Sequence, residues 1–308
     1  MLKVLLLLFG VLSILLAEPS ISRTQVHMAT FVSITLPKSK QNLFKPVFEI
    51  VKNMDETFSS YKTEAQTFRL NQKKKLKVSD DFIKLLKLSK ALYIQTQGYF
   101  SIAIGSITKD LYHFGQTNAH IPTKEKLLQA KSEALGFFIK EQEVSLDEKV
   151  SIDFGGIAKG YTVDKIKHFL QKHKVKKFQI ALSGDIYCEG KCKIAIRSPF
   201  EKDKLIEVLD LENEAISTSG NYERYIKSKK HNHLINPKKR VSQKNIASIT
   251  LYSKHHTNTT LDALATALSV MPQQIRMKIL KNHPKISYMF ITTDKKRHHY
   301  EYKKKETP

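Results

Sequence analysis

The stretch "SIDFGGIAKGYTVDKI", Ser151 to Ile166, joins an alternating apolar pattern to a helical pattern through two adjacent glycines. The chain has only 11 Gly, and three of them (Gly155, Gly156 and Gly160) lie within six residues here. A strand-to-helix turn with bare backbone is typical of a place where an anionic group such as a phosphate approaches the main chain. The alternative is a turn whose glycines only permit close packing. The stretch alone leaves both interpretations open.

The segments on either side mix strand and helix patterns. The run 142–156 alternates apolar and polar residues up to the glycines and predicts a strand, as does the run 26–37. Ser79 is a suitable N-cap, and Gly98 a suitable end, for a helix between them. Further strands are predicted within 177–218, at 247–253 and, as an edge strand, at 286–294; further helices are predicted at 41–61, 121–135, 161–174 and 261–272.

This order of elements predicts the fold class. Strands outnumber helices and do not alternate regularly with them, which favours an α+β fold with mixed or antiparallel sheets and packed helices over a doubly wound sheet. No Pro-, Gly- or Ser-rich linker is long enough to separate two domains. We therefore expect one domain over 18–302, followed by a basic C-terminal tail, 303–308.

The composition describes a large, strongly basic chain. Its 308 residues are 41% hydrophobic, which is enough for a sizeable core, and its formal net charge is +23. The lysines are spread along the chain in short clusters, and the sequence has no nucleic-acid-binding motif. We therefore predict a lysine-rich surface that attracts anionic ligands and acidic membranes, and no nucleic-acid partner.

The first 17 residues predict export from the cytoplasm. Lys3 precedes an apolar run from Val4 to Leu16, which is short for a membrane span, and Ala17 follows as a small residue. This pattern is typical of a signal peptide over 1–17. The alternatives are an uncleaved anchor, which would keep the protein associated with the inner membrane, and a buried helix. We expect a periplasmic, or at least extracytoplasmic, protein.

The two cysteines fit an oxidising compartment. Cys188 and Cys192 flank Glu189–Gly190–Lys191 in "IYCEGKCKIAI", between two segments with strand patterns. Pairing across a hairpin would allow a disulfide, while two reduced thiols are the alternative. Two cysteines alone do not provide a metal site.

The residue types that could carry chemistry lie near the C-terminus. Asp262 and Thr266 are four residues apart, so both oxygens would face one side of a helix and suit Mg²⁺. Alternatively, Thr259 and Asp262 have the form of a capping box. His233 could serve as a general base, although most histidines do not. Signatures of serine hydrolases, zinc proteases and P-loop enzymes are missing from the sequence.

Eight ordered blocks carry a family resemblance. They are "HMATFVSI", "YKTEAQTFRLN", "TQGYFSIAIGSI", "IDFGGIAKGYTVDKI", "ALSGDIYCEG", "STSGNYERYI", "HLINP" and "DALATAL". In this order they resemble the FAD:protein FMN transferases, the ApbE-like family, over about 26–271. The resemblance implies a T-fold-related architecture. It also implies an enzyme that splits FAD with Mg²⁺, attaches FMN to a Thr or Ser of an extracytoplasmic target flavoprotein, and releases AMP.

The resemblance also implies roles for individual residues. The carbonyl of Ala158, with Asp262 and Thr266, would bind the metal, and His233 would be the base that acts beside Asp262. Gly155 and Gly156 would clear backbone space at this site. The FAD contacts would be Met28, Tyr61, Gly98, Tyr99, Phe100, Lys159, Tyr161, Asp164, Ser219 and Gly220.

Three positions depart from the family pattern. The family has Gly where this chain has Ala29, and Asp where it has Ser101 and Asn236. A missing carboxylate at Asn236 is expected to lower the basicity of His233 or weaken binding of the target, and Ser101 is expected to loosen the FAD pocket. These departures keep two alternatives open, an FAD pyrophosphatase that yields FMN and AMP, and a non-catalytic FAD-binding protein.

Overall fold

The structure, a computed structural model, describes residues 18–132, 136–201 and 203–302. The predicted signal peptide, 1–17, and the predicted basic tail, 303–308, lie outside the described residues. In the part of the chain that is described, no helix combines the length and the apolar character needed to cross a membrane.

Eight α-helices, two short 3-10 helices (Lys38–Leu43 and Ile102–Ile104) and fifteen strands are described along the chain. The helices are α1 (Phe44–Phe58), α2 (Gln66–Lys73), α3 (Asp80–Gln95), α4 (Gly105–Thr108), α5 (Lys124–Gln129), α6 (Ala158–Lys172), α7 (Asn258–Val270) and α8 (Gln273–Lys281). The strands are β1 (Ser20–His27), β2 (Thr30–Pro37), β3 (Lys75–Lys77), β4 (Phe137–Lys140), β5 (Glu143–Leu146), β6 (Phe178–Leu182), β7 (Asp185–Arg197), β8 (Leu205–Gly220), β9 (Tyr225–Ile226), β10 (Ser228–Asn232), β11 (Ile235–Asn236), β12 (Val241–Ser242), β13 (Ile246–Ser253), β14 (Ser287–Thr292) and β15 (Arg297–Tyr300).

Eight of these strands form the main sheet, in the order β1-β2-β6-β7-β8-β13-β14-β15. Every neighbouring pair is antiparallel. This confirms the α+β class. The prediction of β14 as an edge strand is wrong, because the short β15 pairs with its outer side. The remaining strands form three small sheets, β3-β5-β4, β9-β10 and β11-β12.

The core lies between this sheet and three helices. Helices α6 and α7 pack side by side, α6 against β6 and β7, and α7 against β8 and β13, while α1 packs on α6. The inward face of β2 contributes Val32, Ile34 and Leu36, all fully buried. Their alternation with more exposed residues is the period-two pattern of a strand that is buried on one face. Because α6 and α7 lie at the centre, the residues at their contact are held rigidly.

The predicted strand leading into the glycines, 142–156, is only partly present. Strand β5 ends at Leu146, and residues 151–154 form no strand. In place of a neighbouring strand, the side-chain amide of Asn71 pairs with Ile152: its Oδ1 accepts from the Ile152 N–H at 2.8 Å and its Nδ2 donates to the Ile152 carbonyl at 2.9 Å. This satisfies both backbone groups of a buried residue without a sheet.

The single strand predicted over 26–37 is also wrong, because a tight turn divides it. His27 pairs with Thr30, which leaves Met28 and Ala29 as a two-residue turn between β1 and β2. Both have positive φ, 51° and 55°. Turns of this length favour positive φ at both central residues and usually contain Asn-Gly or a similar pair. Met28 and Ala29 are not such a pair, so the sequence pattern predicted one strand where the structure has two.

The disulfide between Cys188 and Cys192 is confirmed, but the hairpin predicted around it is wrong. Both cysteines lie in the single strand β7, and their Cα atoms are 6.3 Å apart. The pairing of β7 with β8 is irregular between Cys188 and Lys191, where Gly190 adopts φ +77°. An irregularity that bends the strand shortens the distance between its ends, which brings the two sulfurs together within one strand.

Candidate functional site

The site lies where the N-terminal end of α6 meets α7, and glycines make this contact possible. A Cβ atom on Gly160 would lie 2.3 Å from the backbone oxygen of Asn258, and one on Gly156 would lie 2.8 Å from Thr266 Oγ1. No side chain fits at either position without displacing α7. The packing interpretation therefore explains Gly156 and Gly160 directly.

Helix α7 begins with a cap different from the one the sequence suggested. Thr257 is the N-cap and its hydroxyl accepts from the backbone N–H of Thr260 at 3.2 Å, so the capping box of Thr259 with Asp262 is wrong. A second cap comes from α6. Both oxygens of Asp164 accept backbone N–H groups, of Asn258 at 3.1 Å and of Thr259 at 2.8 Å. Asp164, predicted to contact FAD, therefore joins α6 to the first turn of α7.

Free of a capping role, Asp262 takes part in a buried charge cluster. Its Oδ2 accepts from the backbone N–H of Gly160 at 3.1 Å and lies 3.5 Å from Lys159 Nζ. The same Nζ lies 3.1 Å from Asp185 Oδ2, and the hydroxyl of Ser217 donates to Asp185 Oδ1 at 2.6 Å. Sequence analysis missed Asp185. Its signal was the block "ALSGDIYCEG", in which an acid follows directly after a strand and a glycine.

The charges in this cluster depend strongly on one another. Burial, and then the neighbouring Asp185, raise the pKa of Asp262. Burial acts against the charge on Lys159, but the carboxylates of Asp185 and Asp262 raise its pKa above the usual value. Two carboxylates and one ammonium carry a net negative charge when all are ionised, so the cluster is suited to attract a further cation.

The predicted metal ligands are brought to this same contact. Ala158 is the first residue of α6, and Thr266 lies one turn after Asp262 on α7, beside Gly156. Their carbonyl, hydroxyl and carboxylate oxygens are hard ligands that suit Mg²⁺. No group of three or more His, Cys, Asp or Glu side chains fit to hold a metal occurs among the described residues. A site here would therefore include backbone and hydroxyl oxygens.

The candidate base, His233, follows β10 and is half-buried. Its Nδ1 lies 3.1 Å from the carbonyl oxygen of Arg224, which can only accept, so Nδ1 carries the proton and Nε2 the free electron pair. Burial, and then the charges of Arg224 and Lys159, lower its pKa to about 4, although the bond to Arg224 acts in the other direction. The ring is therefore neutral at physiological pH and able to accept a proton.

The hydrogen bonds of Asn236 do not support the expected effect of this residue on the basicity of His233. Its Nδ2 donates to the carbonyl of Val270 at 2.8 Å, and its Oδ1 accepts the N–H groups of Lys238 and Lys239, each at 3.0 Å. The amide is thus used to hold the chain after β11 against the end of α7. Among the described residues, no hydrogen bond joins Asn236 to His233.

Two of the predicted FAD contacts reach the site through other residues. The hydroxyl of Thr162, on α6, donates to the carbonyl of Ala158 at 2.8 Å and lies 3.5 Å from Met28 Sδ, so the strained turn places Met28 beside this helix. Tyr61 accepts a short hydrogen bond from Lys109, whose Nζ lies 3.3 Å from Asp153 Oδ2. Asp153 Oδ1 in turn accepts from the N–H of Gly155 at 2.9 Å, which links Tyr61 to the glycine turn.

Another predicted contact, Tyr161, points away from the charge cluster. Tyr161 follows Lys159 by two residues, about 200° around a helix. Its hydroxyl donates to Asp81 Oδ1 at 2.6 Å and its ring packs edge-on against Phe58, so it faces the core. Gly98 ends α3 in a left-handed conformation, Phe100 is buried, and Ser219 and Gly220 close β8 beside β13.

The segment around Tyr99 contains Ser101, the second departure from the pattern that the resemblance implies. Tyr99 is mostly buried, and the ammonium of Lys238 lies 4.6 Å from the centre of its ring. The hydroxyl of Ser101 is buried and has no hydrogen-bond partner in the described part of the chain. A buried polar atom without a partner is unusual in a folded protein, and a bound ligand is one way to satisfy it.

Comparisons with known proteins identify the family of this chain. A protein-family model described as "ApbE family" matches residues 28–290. An FAD:protein FMN transferase from Klebsiella pneumoniae is 27% identical over 233 residues, 70% of this chain and 72% of its own length, and one from Haemophilus influenzae is 25% identical over 88% and 84%. The fold is similar to that of the ApbE protein from Thermotoga maritima, which is 22% identical with a TM-score of 0.83; the match covers 92% of this chain and 97% of that one. It is also similar to a flavin transferase ApbE from Vibrio cholerae, which is 21% identical with a TM-score of 0.77; this match covers 92% of this chain and 96% of that one. Since the family model spans most of the chain, from the Met28 turn to β14, this protein belongs to the ApbE family.

Proposed function

We propose that this protein is an FAD:protein FMN transferase that depends on Mg²⁺, moves FMN to a Thr or Ser hydroxyl of an extracytoplasmic target flavoprotein and releases AMP. The relatives that carry the transferase name match this chain over most of its length. The single observation that carries the proposal is the geometry of His233, whose Nδ1 donates to the Arg224 carbonyl at 3.1 Å and leaves Nε2 free to accept a proton. The charge of Lys159, a member of the buried cluster suited to a cation, also lowers the pKa of this ring.

In this reaction the acceptor hydroxyl attacks the phosphorus of the FMN half. His233 Nε2 takes the hydroxyl proton, a new bond forms between the hydroxyl oxygen and the FMN phosphorus, and the bond between that phosphorus and the bridging oxygen of the diphosphate breaks, so that AMP leaves with the bridging oxygen. The Arg224 carbonyl holds the imidazole in the tautomer that the step requires. The ammonium of Lys159, in the adjacent cluster, remains 23% exposed and adds a positive charge that attracts the diphosphate.

The residues present fit a magnesium ion. Asp262, Thr266 and the carbonyl of Ala158 would hold it, and the observation that supports the fit is that Asp262, together with Asp185 and the Gly155 carbonyl, already surrounds one cation, the ammonium of Lys159. Bound at this place, Mg²⁺ would offset the negative charge that develops on the diphosphate. Asp185, fixed by Ser217, keeps the cluster negative around it.

The proposal includes a location outside the cytoplasm. The signal pattern over 1–17 and the Cys188–Cys192 disulfide both support a periplasmic or otherwise extracytoplasmic protein. A retained N-terminal segment would associate it with the inner membrane. The target protein would then be met in the same compartment, and the lysine-rich surface would favour an acidic one.

FAD hydrolysis is the second candidate, because water could occupy the place of the acceptor hydroxyl. The unpartnered Ser101 hydroxyl, where the family has Asp, favours a looser pocket and keeps this candidate, as well as FAD binding without chemistry, in consideration.

One incubation separates the three functions. The mature protein, FAD, Mg²⁺ and a candidate acceptor are incubated, and nucleotides and protein-bound flavin are then quantified by chromatography. We expect covalent flavin and AMP in equal amounts. Free FMN with AMP would indicate a pyrophosphatase, and unchanged FAD that is retained by the protein would indicate a binding protein. The same reaction with EDTA should give no AMP.

A further inference from the structure

The ammonium of Lys159 is enclosed by oxygens in the way a bound cation would be. Its Nζ lies 3.1 Å from Asp185 Oδ2, 3.5 Å from Asp262 Oδ2 and 3.2 Å from the carbonyl oxygen of Gly155. An ammonium has three protons to donate, and these three oxygens account for all of them. The two carboxylate side chains are only 2% and 4% exposed, so they have little water to replace this cation.

The carboxylates are held in place by groups other than Lys159. The hydroxyl of Ser217 fixes Asp185 through Oδ1, and the backbone N–H of Gly160 fixes Asp262 through Oδ2. Lys159, by contrast, reaches the cluster on a long side chain that remains 23% exposed. It is therefore the one charged member of the cluster that can move without unfolding either α7 or the main sheet.

We propose that Lys159 holds the place of the divalent cation in the metal-free protein, and that a cation bound at Asp262 moves the ammonium onto Asp185. Asp185 is then a positioning residue, whose function is to keep the displaced lysine beside the site. The inference rests on the proposed function for the existence of a metal site. Its test uses neither FAD nor an acceptor, so its failure would be distinguishable from failure of the transferase proposal.

Electrostatics gives the reason for such an exchange. Two buried carboxylates with no cation between them repel each other, and leaving one unpaired is strongly unfavourable. If the lysine and the divalent cation both remained on Asp262, the two positive groups would repel each other at short range. Movement of the ammonium toward Asp185 relieves the repulsion and keeps every charge paired.

The first test measures Mg²⁺ binding by isothermal titration calorimetry at about pH 8, where carboxylates are ordinarily ionised. Lys159→Met removes the competing ammonium, so the Kd for Mg²⁺ should fall by about tenfold or more, the scale of one lost ion pair. Lys165→Met is the matched control, because Lys165 lies on the same helix and pairs with Asp81 at 2.9 Å, away from the cluster. The Kd of the Lys165→Met variant for Mg²⁺ should equal that of the wild-type protein. An unchanged or higher Kd for Lys159→Met would overturn the proposal.

The second test separates positioning by Asp185 from its charge alone. Asp185→Asn leaves Lys159 with only Asp262, so Mg²⁺ should bind more weakly. The loss should be about tenfold larger when Lys159 is present than in the Lys159→Met background, which a double-mutant cycle measures. An equal loss in both backgrounds would overturn the positioning role of Asp185.

Thermal unfolding provides a readout that needs no tight binding. In EDTA, Lys159→Met should unfold at a lower temperature than wild type, and Mg²⁺ should raise its Tm by more than it raises that of wild type or Lys165→Met. If Lys159→Met does not fold in EDTA, Mg²⁺ should restore its folded circular-dichroism spectrum.

If Mg²⁺ does not restore this spectrum, the double variant Lys159→Met/Asp185→Asn, whose cluster has the same net charge as that of the wild-type protein, provides the test. It should fold and bind Mg²⁺ at least as tightly as wild type, and weaker binding would overturn the proposal.

Discussion

Ala29 occupies a backbone conformation that alanine disfavours. Its φ of 55° is left-handed, and it follows Met28 at 51° in the turn between β1 and β2. An L-residue with a Cβ atom loses about 1–2 kcal/mol there, whereas glycine does not. The family resemblance implies glycine at this position, and the alanine found here is strained, which the surrounding strands must offset.

We therefore expect Ala29→Gly to stabilise the protein. The relief of strain is partly cancelled by the greater freedom of glycine in the unfolded chain, so the net gain should be about 0.5–1 kcal/mol. Ala91→Gly, an exposed site inside α3, is the matched control and should instead cost about 1 kcal/mol. Denaturant unfolding measures both. A destabilising Ala29→Gly would mean that the Cβ atom of Ala29 makes a contact that matters more than its conformation.

His233 leads to a prediction on the pH dependence of transfer. An ordinary histidine would make the rate rise through about pH 6.5, but burial lowers the pKa of His233 to about 4. Only the neutral ring accepts a proton, so the rate should rise through about pH 4 and be flat from pH 6 to 8 (approximate bounds on either side of neutrality). His233→Ala should still bind FAD but transfer FMN about 10²–10⁴-fold more slowly.

Single-turnover rates over this pH range test the assignment, with FAD affinity from flavin fluorescence as the control. Transfer at the wild-type rate by His233→Ala would assign the base to another group. Asp164, the alternative that the sequence suggested, already uses both oxygens on the first turn of α7.

At the scale of elements, the contact between α6 and α7 determines the site. Gly160→Ala would place a methyl group against the backbone of Asn258, which cannot move without shifting α7. We expect a loss of stability of about 1–3 kcal/mol, the usual cost of overpacking, together with weaker Mg²⁺ binding because Asp262 shifts with α7. In Gly155→Ala the new methyl would approach the side chain of Asp153 at 3.1 Å, so the loss of stability should be smaller. Equal losses in thermal unfolding would show that the close helix contact is not the reason for the glycine.

The second prediction at this scale concerns the disulfide within β7. Protein recovered from an oxidising compartment should have no cysteine that a thiol reagent can modify. After reduction, both cysteines should become reactive. Alkylation followed by mass spectrometry of the peptide containing Cys188 and Cys192 measures this. Two thiols that are freely alkylated before reduction would contradict the pairing.

At the scale of the whole molecule, the class and most helices could be predicted from the sequence, because they depend on local patterns. Ser79 does cap α3, as its position indicated, and Thr123 caps α5. Elements whose pairing depends on distant residues could not be predicted. The turn at Met28 carries no turn residue, and Ile152 pairs with the side chain of Asn71, which is 81 positions away.

The site shows the same division. Asp262 and Thr266 stand out because their spacing matches one helical turn, and the structure does place them together at the α6–α7 contact. Asp185 comes from a different element, β7, and joins Asp262 only when the sheet and helices assemble. No local sequence pattern indicates that Asp185 and Asp262 lie close together. Roles carried over from the family resemblance, such as the FAD contacts, remain predictions for this chain.

The intact mass of an acceptor protein tests the central claim most directly. After incubation with this protein, FAD and Mg²⁺, the acceptor should gain the mass of one FMN less water, and tandem mass spectrometry should locate it on a Thr or Ser. Asp262→Ala should leave the acceptor mass unchanged while the enzyme stays folded, because the lost carboxylate removes several kcal/mol of charge stabilisation, against about 0.5–2 for a helix cap. An acceptor that never gains this mass, or gains it equally with Asp262→Ala at low Mg²⁺, would contradict the account.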